Sequence, residues 1–158
     1  MNFPSRKRTH LLRFDYANPN NVYFITLCTY NRQAYFIDSE LAKAIEGEID
    51  YRVTCACEVA IFAYCIMPDH LHMLLKLKGQ YGRTLQNWVS AFKRYTAREA
   101  HARFNIEKLW QKDFYEHVVR TEESLSQIAQ YVVHNPVRKK MVKNWQDYSF
   151  SKINFSDF

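Results

Sequence analysis

Three glycines and four prolines in 158 residues leave no material for long flexible linkers, and exclude a collagen-like or disordered chain. Long apolar runs are also missing. No stretch approaches the roughly 20 apolar residues of a membrane-spanning helix. The opening stretch MNFPSRKRTHLLRF is basic but leads into no apolar run, so it does not read as a signal peptide. Cys28, Cys55, Cys57 and Cys65 form no CxxC pair, and CxC at 55–57 is not a structural-zinc spacing. All four sit in apolar, strand-like sequence and read as reduced, buried thiols of a cytoplasmic protein. Acidic residues are in deficit, 16 against 22 Lys and Arg, which gives a net charge of +6 and a pI of about 9.1. That excess points to an acidic partner: nucleic acid, or less often an anionic membrane.

What is present is the composition of a globular domain, 47% apolar and 24% charged. The length suits one domain with a real core. We read residues 1–158 as that single domain, with a basic arm at 1–20 and a tail at 143–158. Aromatics reach 16%, more than a core alone requires, and the surplus offers stacking surfaces for bases.

The pattern predicts a strand over 22–29 (VYFITLCT). Ser39 is placed to cap a helix with Leu41, Ala42, Ile45 and Ile49 on one face, reaching about Tyr51. An apolar run over 55–67 reads as a central strand. Pro68-Asp69 marks a turn, and 70–78 returns as its hairpin partner. After a loop at 78–83, Thr84 caps a second helix that presents Leu85, Trp88, Val89, Phe92 and Tyr95. A short strand follows over 114–119. Thr121, with Glu122 and Glu123, opens a third helix that runs to about His134. Pro136 starts a short last helix. The order β-α-β-β-α-β-α predicts an α+β fold, a ferredoxin-like split βαβ with an antiparallel sheet and packed helices.

His70 and His72 lie two apart in a strand, so both point to one face, while Leu71, Met73, Leu75 and Leu77 point to the other. Two adjacent imidazoles can share a metal ion. At this point two unrelated strand histidines fit the pattern as well. Two ligands are too few for a closed structural zinc site, so a bound metal would keep open positions that suit catalysis.

The third helix buries Leu125, Ile128, Ala129 and Val132, and Gln127, Tyr131 and Asn135 form a flanking stripe. Asn135 precedes proline, which marks the helix end. A phenol titrates near ~10 and is a weak nucleophile at neutral pH. A neighbouring divalent cation would polarise a phosphate and stabilise the leaving oxygen. With 11 tyrosines in the chain, a purely structural role for Tyr131 remains open.

Three stretches, in this order, resemble one family. Met67-Pro68-Asp69-His70-Leu71-His72 is similar to the HUH motif. Trp110-Gln111, Phe114-Tyr115-Glu116-His117 and Arg120 resemble the segment before the tyrosine helix of REP-associated tyrosine transposases. Tyr131 with His134-Asn135-Pro136-Val137 resembles their catalytic helix. The likeness spans roughly residues 20–142. It implies an HUH endonuclease fold and Mg²⁺ or Mn²⁺ on His70 and His72, with Asn135 as a candidate third ligand where related insertion-sequence transposases often carry Gln. It further implies that Tyr131 is the nucleophile of a 5′-phosphotyrosine intermediate on single-stranded or hairpin DNA. The chain would act as a monomer, or as a homodimer able to exchange tyrosine helices. No second tyrosine lies at helical spacing from Tyr131, unlike the two-tyrosine initiators and relaxases.

Candidate phosphate contacts are Arg6, Lys7, Arg8 and Arg13 in the arm, Lys93, Arg94 and Arg98 on the second helix, Lys112 and Arg120 around the third strand region, and Arg138, Lys139 and Lys140 after the tyrosine helix. Glu116 and His117 read as a structural hydrogen-bonding pair. Two other readings stand beside this one. A two-histidine or metal-dependent phosphoesterase would need a second histidine motif, and only one HxH is present. A non-catalytic nucleic-acid-binding protein would have no use for an intact Tyr131 and histidine pair.

Overall fold

The β-branched and aromatic run VYFITLC forms β1 (Val22–Cys28) in the computed structural model, which describes residues 11, 13–120 and 123–154. Helix α1 (Ser39–Thr54) is capped one residue earlier than expected. Asp38 is the cap, because its carboxylate accepts from the Glu40 and Leu41 N–H groups. The helix also runs past Tyr51 to Thr54. Strand β2 (Val59–Met67) therefore starts later than residue 55. Cys55 closes α1, and Cys57 turns the chain with a φ of 52°. Buried Arg52 holds this corner, 2.7 Å from Glu48 and 2.8 Å from Glu58. The thiols are free, but only Cys65 is buried. Cys55 is exposed, and Cys28 and Cys57 are intermediate. The expectation of four buried cysteines fails because two of them belong to the corner and not to a strand.

Strand β3 (His70–Leu77) returns from the Pro68-Asp69 turn. Helix α2 (Leu85–Phe104) begins with a capping box in which Thr84 accepts from the Asn87 N–H and the Asn87 side chain meets the Thr84 N–H. Tyr95 was expected on its buried face but is exposed. The buried stripe drifts around the helix and continues instead through Thr96 and Ala100. Strand β4 (Tyr115–Val118) leads to α3 (Leu125–Val133), capped by Ser124. Thr121 and Glu122, expected to open that helix, lie outside the described residues. A short α4 (Asn135–Arg138) follows, then β5 (Ser151–Ile153).

The sheet order is β4-β1-β3-β2-β5, with all neighbours antiparallel. Its first four strands have the split-βαβ arrangement. β5 is an added edge strand, clamped by Asn154, whose N–H and Nδ2 donate to the carbonyls of Phe62 and Ile61. Alternation along the strands gives the sheet two apolar faces. Tyr23, Ile25, Leu71, Met73 and Leu75 meet Leu41, Ile45, Trp88 and Phe92 of α1 and α2. Phe24, Phe62, Met67 and Leu74 meet Ile128, Ala129, Val132 and Val133 of α3. No helix among the described residues is long and apolar enough to cross a membrane.

Candidate active site

The register between β1 and β3 sets the centre of the site. Cys28 pairs with His70, Thr26 with His72 and Phe24 with Leu74. Both histidines point to the α3 face, with ring centroids 4.6 Å apart. His72 stacks on Phe24 at 5.4 Å, and its Nδ1 lies 2.8 Å from Thr26 Oγ1. His70 Nδ1 lies 2.6 Å from Asp69 Oδ1. A carboxylate only accepts, so this geometry puts the ring proton on Nδ1 and leaves a lone pair on Nε2. Asn135 Nδ2 sits 3.2 Å from that Nε2 and donates to it. Burial lowers the pKa of His70, against the opposing pull of Asp69. Burial lowers His72 further, with His70 adding to the effect. Both rings are neutral at pH 7, the state in which imidazole binds metal.

Helix α3 carries Tyr131 over this centre. Its inner face is anchored in the second core by Ile128, Ala129, Val132 and Val133. The Tyr131 ring meets Phe24 edge-on at 6.2 Å. Phe24 is thus shared between Tyr131 and His72. The Arg138 guanidinium lies 3.9 Å over the Tyr131 ring, and its Nη1 donates to the Tyr131 carbonyl at 2.7 Å. On its outer side Tyr131 lines an open depression with Ser126, Gln127, Gln130 and His134. The predicted stripe therefore divides. Gln127 and Tyr131 share the open side, while Asn135 turns inward and is only 5% exposed. The helix stops at Val133, and Asn135 begins α4 on a new axis with Pro136 at its start.

Among the described residues no group of three or more His, Cys, Asp or Glu gathers. The candidate ligands are the two imidazoles and one amide. Each Nδ1 is engaged by a protein oxygen, so each Nε2 is the remaining donor atom. Rotating the Asn135 amide would exchange Nδ2 for Oδ1 beside His70 Nε2. Two nitrogens and one amide oxygen, with open positions, fit a divalent cation in a reactive site.

The other predicted residues scatter. Arg6, Lys7 and Arg8 lie outside the described residues. Lys93 donates to the carbonyls of Gln111 and of Lys112, the latter at 2.9 Å, and burial lowers its pKa. It ties α2 to the chain before β4, so the expected phosphate contact gives way to an internal one. Arg94 and Arg98 are exposed on α2, across the sheet from the histidines, and Arg98 lies 4.6 Å over Tyr95. Arg120 is exposed beyond β4, where its N–H donates to Glu123 at 2.7 Å. Arg13 and Lys112 are exposed. Among the described candidates Arg138, with exposed Lys139 and Lys140 beside it, reaches the tyrosine. Glu116 and His117 do not bond each other, because neighbouring strand residues face opposite ways. Glu116 accepts from the Tyr16 hydroxyl on one face, and His117 Nε2 lies 2.9 Å from Glu123 Oε1 on the other. Trp110 is buried and donates to Thr96 Oγ1 at 2.8 Å, an internal role. Sequence reading assigned no part to Phe24, Thr26, Arg32 or Asp69. Of these, only Asp69 carried a signal, its place beside His70 in the turn.

The sequence model described as IS200-like transposase matches residues 19–135. The chain is 27% identical over 145 residues to a candidate REP-associated tyrosine transposase of Haemophilus influenzae, covering 83% of this chain and 80% of that one. It is 24% identical over 136 residues to the REP-associated tyrosine transposase of Escherichia coli, covering 86% and 78%. Among solved structures it is similar to a REP-associated tyrosine transposase bound to a REP hairpin. The TM-score is 0.64 at 21% identity, over 94% of this chain and 82% of that one. A transposase-like structure from Deinococcus radiodurans gives 0.54 at 20% identity, over 82% and 95%. At these identities the two structural likenesses speak to the fold.

Proposed function

This chain belongs to the IS200-like transposase family, and from that membership we propose that it cuts and rejoins single-stranded DNA beside a hairpin through a covalent bond to Tyr131. One observation carries the reading. A tyrosine on the open flank of α3 and the neutral His72 pack on the same Phe24 ring, with neutral His70 beside His72. The hairpin is the part suggested by the solved relative, which holds a REP hairpin.

Tyr131 Oη attacks the phosphorus of the scissile phosphodiester and loses its proton. The bond from phosphorus to the 3′-oxygen breaks, and that oxygen leaves as a free 3′-hydroxyl. The 5′ side remains esterified to the tyrosine. A second 3′-hydroxyl can attack the ester, release the phenol and restore a phosphodiester. Each step exchanges one phosphate ester for another, so no nucleotide cofactor is consumed. His70, His72 and Asn135 would hold Mg²⁺ or Mn²⁺, which supplies positive charge against the phosphate oxygens and the leaving oxygen. Phe24 sets the spacing between the tyrosine ring and His72. Arg138 holds that ring from its open side and brings a permanent cation next to the attacked phosphate.

The test incubates the chain with a labelled hairpin carrying a single-stranded flank and Mg²⁺ or Mn²⁺, then runs a denaturing gel. A covalent protein–DNA band in the native chain, and none in Tyr131→Phe with hairpin binding intact, is expected. Cleavage by the phenylalanine variant would remove Tyr131 from the mechanism. Free products without a covalent band would point to a phosphoesterase, and binding without cleavage to a non-catalytic DNA-binding protein.

A further inference from the structure

Behind His70 a chain of polar contacts runs away from the tyrosine, and the mechanism above leaves it unused. His70 Nδ1 meets Asp69 Oδ1 at 2.6 Å, and Asp69 Oδ2 meets Arg32 Nη1 at 3.3 Å. Arg32 is delivered by an unusual turn. Asn31 and Arg32 both adopt left-handed backbone, with φ of 49° and 56°. Asparagine tolerates that conformation, whereas arginine rarely adopts it. The turn is tied to the β2–β3 hairpin at several points. The Thr29 N–H donates to the Asp69 carbonyl at 3.0 Å, and Thr29 Oγ1 bridges the carbonyls of Asp69 and Gln33. The Phe36 N–H donates to Pro68 at 3.0 Å.

Stability does not account for this arrangement. The Arg32 and Asp69 side chains remain 44% and 33% exposed, and ion pairs so open to water contribute little. Two consecutive left-handed residues without glycine cost more than such a pair returns. A carboxylate on the far nitrogen of a metal-binding imidazole, by contrast, fixes the tautomer and the ring orientation.

We propose that Arg32 and Asp69 form an orienting relay for His70, in which the strained turn after β1 presents Arg32 to Asp69, and Asp69 fixes the ring that would hold the divalent cation. Both are positioning residues. The inference rests on the metal-site reading above. Arg32 acts on the carboxylate by holding Oδ2, so that Oδ1 stays aimed at the ring.

The test measures Mn²⁺ uptake by the DNA-free chain with electron paramagnetic resonance, and the tautomer of His70 by ¹⁵N NMR of the metal-free chain. Hairpin binding in EDTA checks the fold. The native chain is expected to bind Mn²⁺ and to show His70 protonated at Nδ1. Asp69→Asn should weaken Mn²⁺ about 10–100-fold and lose that tautomer preference. Arg32→Gly, which suits the left-handed backbone and removes the side chain with its guanidinium, should weaken Mn²⁺ severalfold, and Arg32→Lys should recover part of the loss. If Asp69→Asn loses hairpin binding, Arg32→Gly decides alone. A native chain that takes up no Mn²⁺ overturns the metal reading and this proposal together. Mn²⁺ binding equal in all variants, with an unchanged His70 tautomer, overturns the relay and leaves the metal reading standing.

Discussion

Arg138 shows how much of the site depends on single side chains. Its guanidinium lies over the Tyr131 ring and also reaches that residue's carbonyl, so it fixes both the ring and the end of the helix. Replacing Arg138 with Ala is expected to slow formation of the covalent adduct about tenfold under single-turnover conditions, the scale of one stacked cation. Arg138→Lys should recover only part of this, because an ammonium cannot lie flat on a ring and bond the carbonyl together. An unchanged rate in the alanine variant would make the stacking incidental. At this scale the sequence exposed the residues that come in motifs. His70, His72, Tyr131 and Asn135 stand at spacings with a chemical meaning. Phe24, Thr26 and Arg32 do not. Phe24 and Thr26 reach the histidines only through the β1–β3 register, and Arg32 only through a left-handed turn, neither of which leaves a local pattern. The failed pairing of Glu116 with His117 has the same origin, since chain neighbours in a strand do not share a face.

Among the elements, those with strong periodicity or caps were legible and those built by context were not. Strands β1 and β3, helix α2 and the tyrosine helix follow from alternation and helical spacing. Thr84 was readable as a cap, and its box with Asn87 gives it a definite weight. Thr84→Ala is expected to cost about 1 kcal/mol and to lower the melting temperature by roughly 2–4 °C, measured by thermal circular dichroism. No change would mean that the packing of α2 makes the cap redundant. The start of β2 was misplaced because an apolar run spans both a helix end and a strand, and only the turn at Cys57 separates them. β5 was missed because three residues, Ser-Lys-Ile, carry no signature. The strand exists because β2 offers it an edge and Asn154 closes it.

At the scale of the molecule, Glu46 joins parts that the chain keeps far apart. It lies on α1, accepts from Tyr64 on β2 at 2.6 Å, and pairs with Lys152 on β5 at 2.8 Å. Burial alone would raise its carboxyl, but the bonds from Lys152 and Tyr64 and the ammonium's charge outweigh it and hold it below its ordinary value. A carboxyl depressed in the folded state contributes stability that is fully present above its unfolded pKa, near ~4.3. That contribution disappears as pH falls through the lower folded value. Urea midpoints should therefore drop below about pH 4, and Glu46→Gln should flatten part of that descent. Glu123, held low by the Arg120 N–H and His117 against its own slight burial, acts with the same sign, so some slope should survive. A Glu46→Gln profile parallel to the native one would show that this tie does not respond to acid.

Helix α3 covers an apolar face of the sheet and also carries Tyr131. The two duties fall on different sides of the same nine residues. A lineage that stopped cutting DNA would still be under selection to keep Ile128, Ala129, Val132 and Val133, since losing them would bare Phe24, Phe62 and Leu74 to water. On the mechanism proposed above, decay of the activity in such a lineage would leave the helix in place and erase little more than the phenol of Tyr131 or a metal-holding side chain. In a collection of genes, inactive descendants would look almost intact, and on the mechanism proposed above positions 70, 72, 131 and 135 would separate working copies from relics.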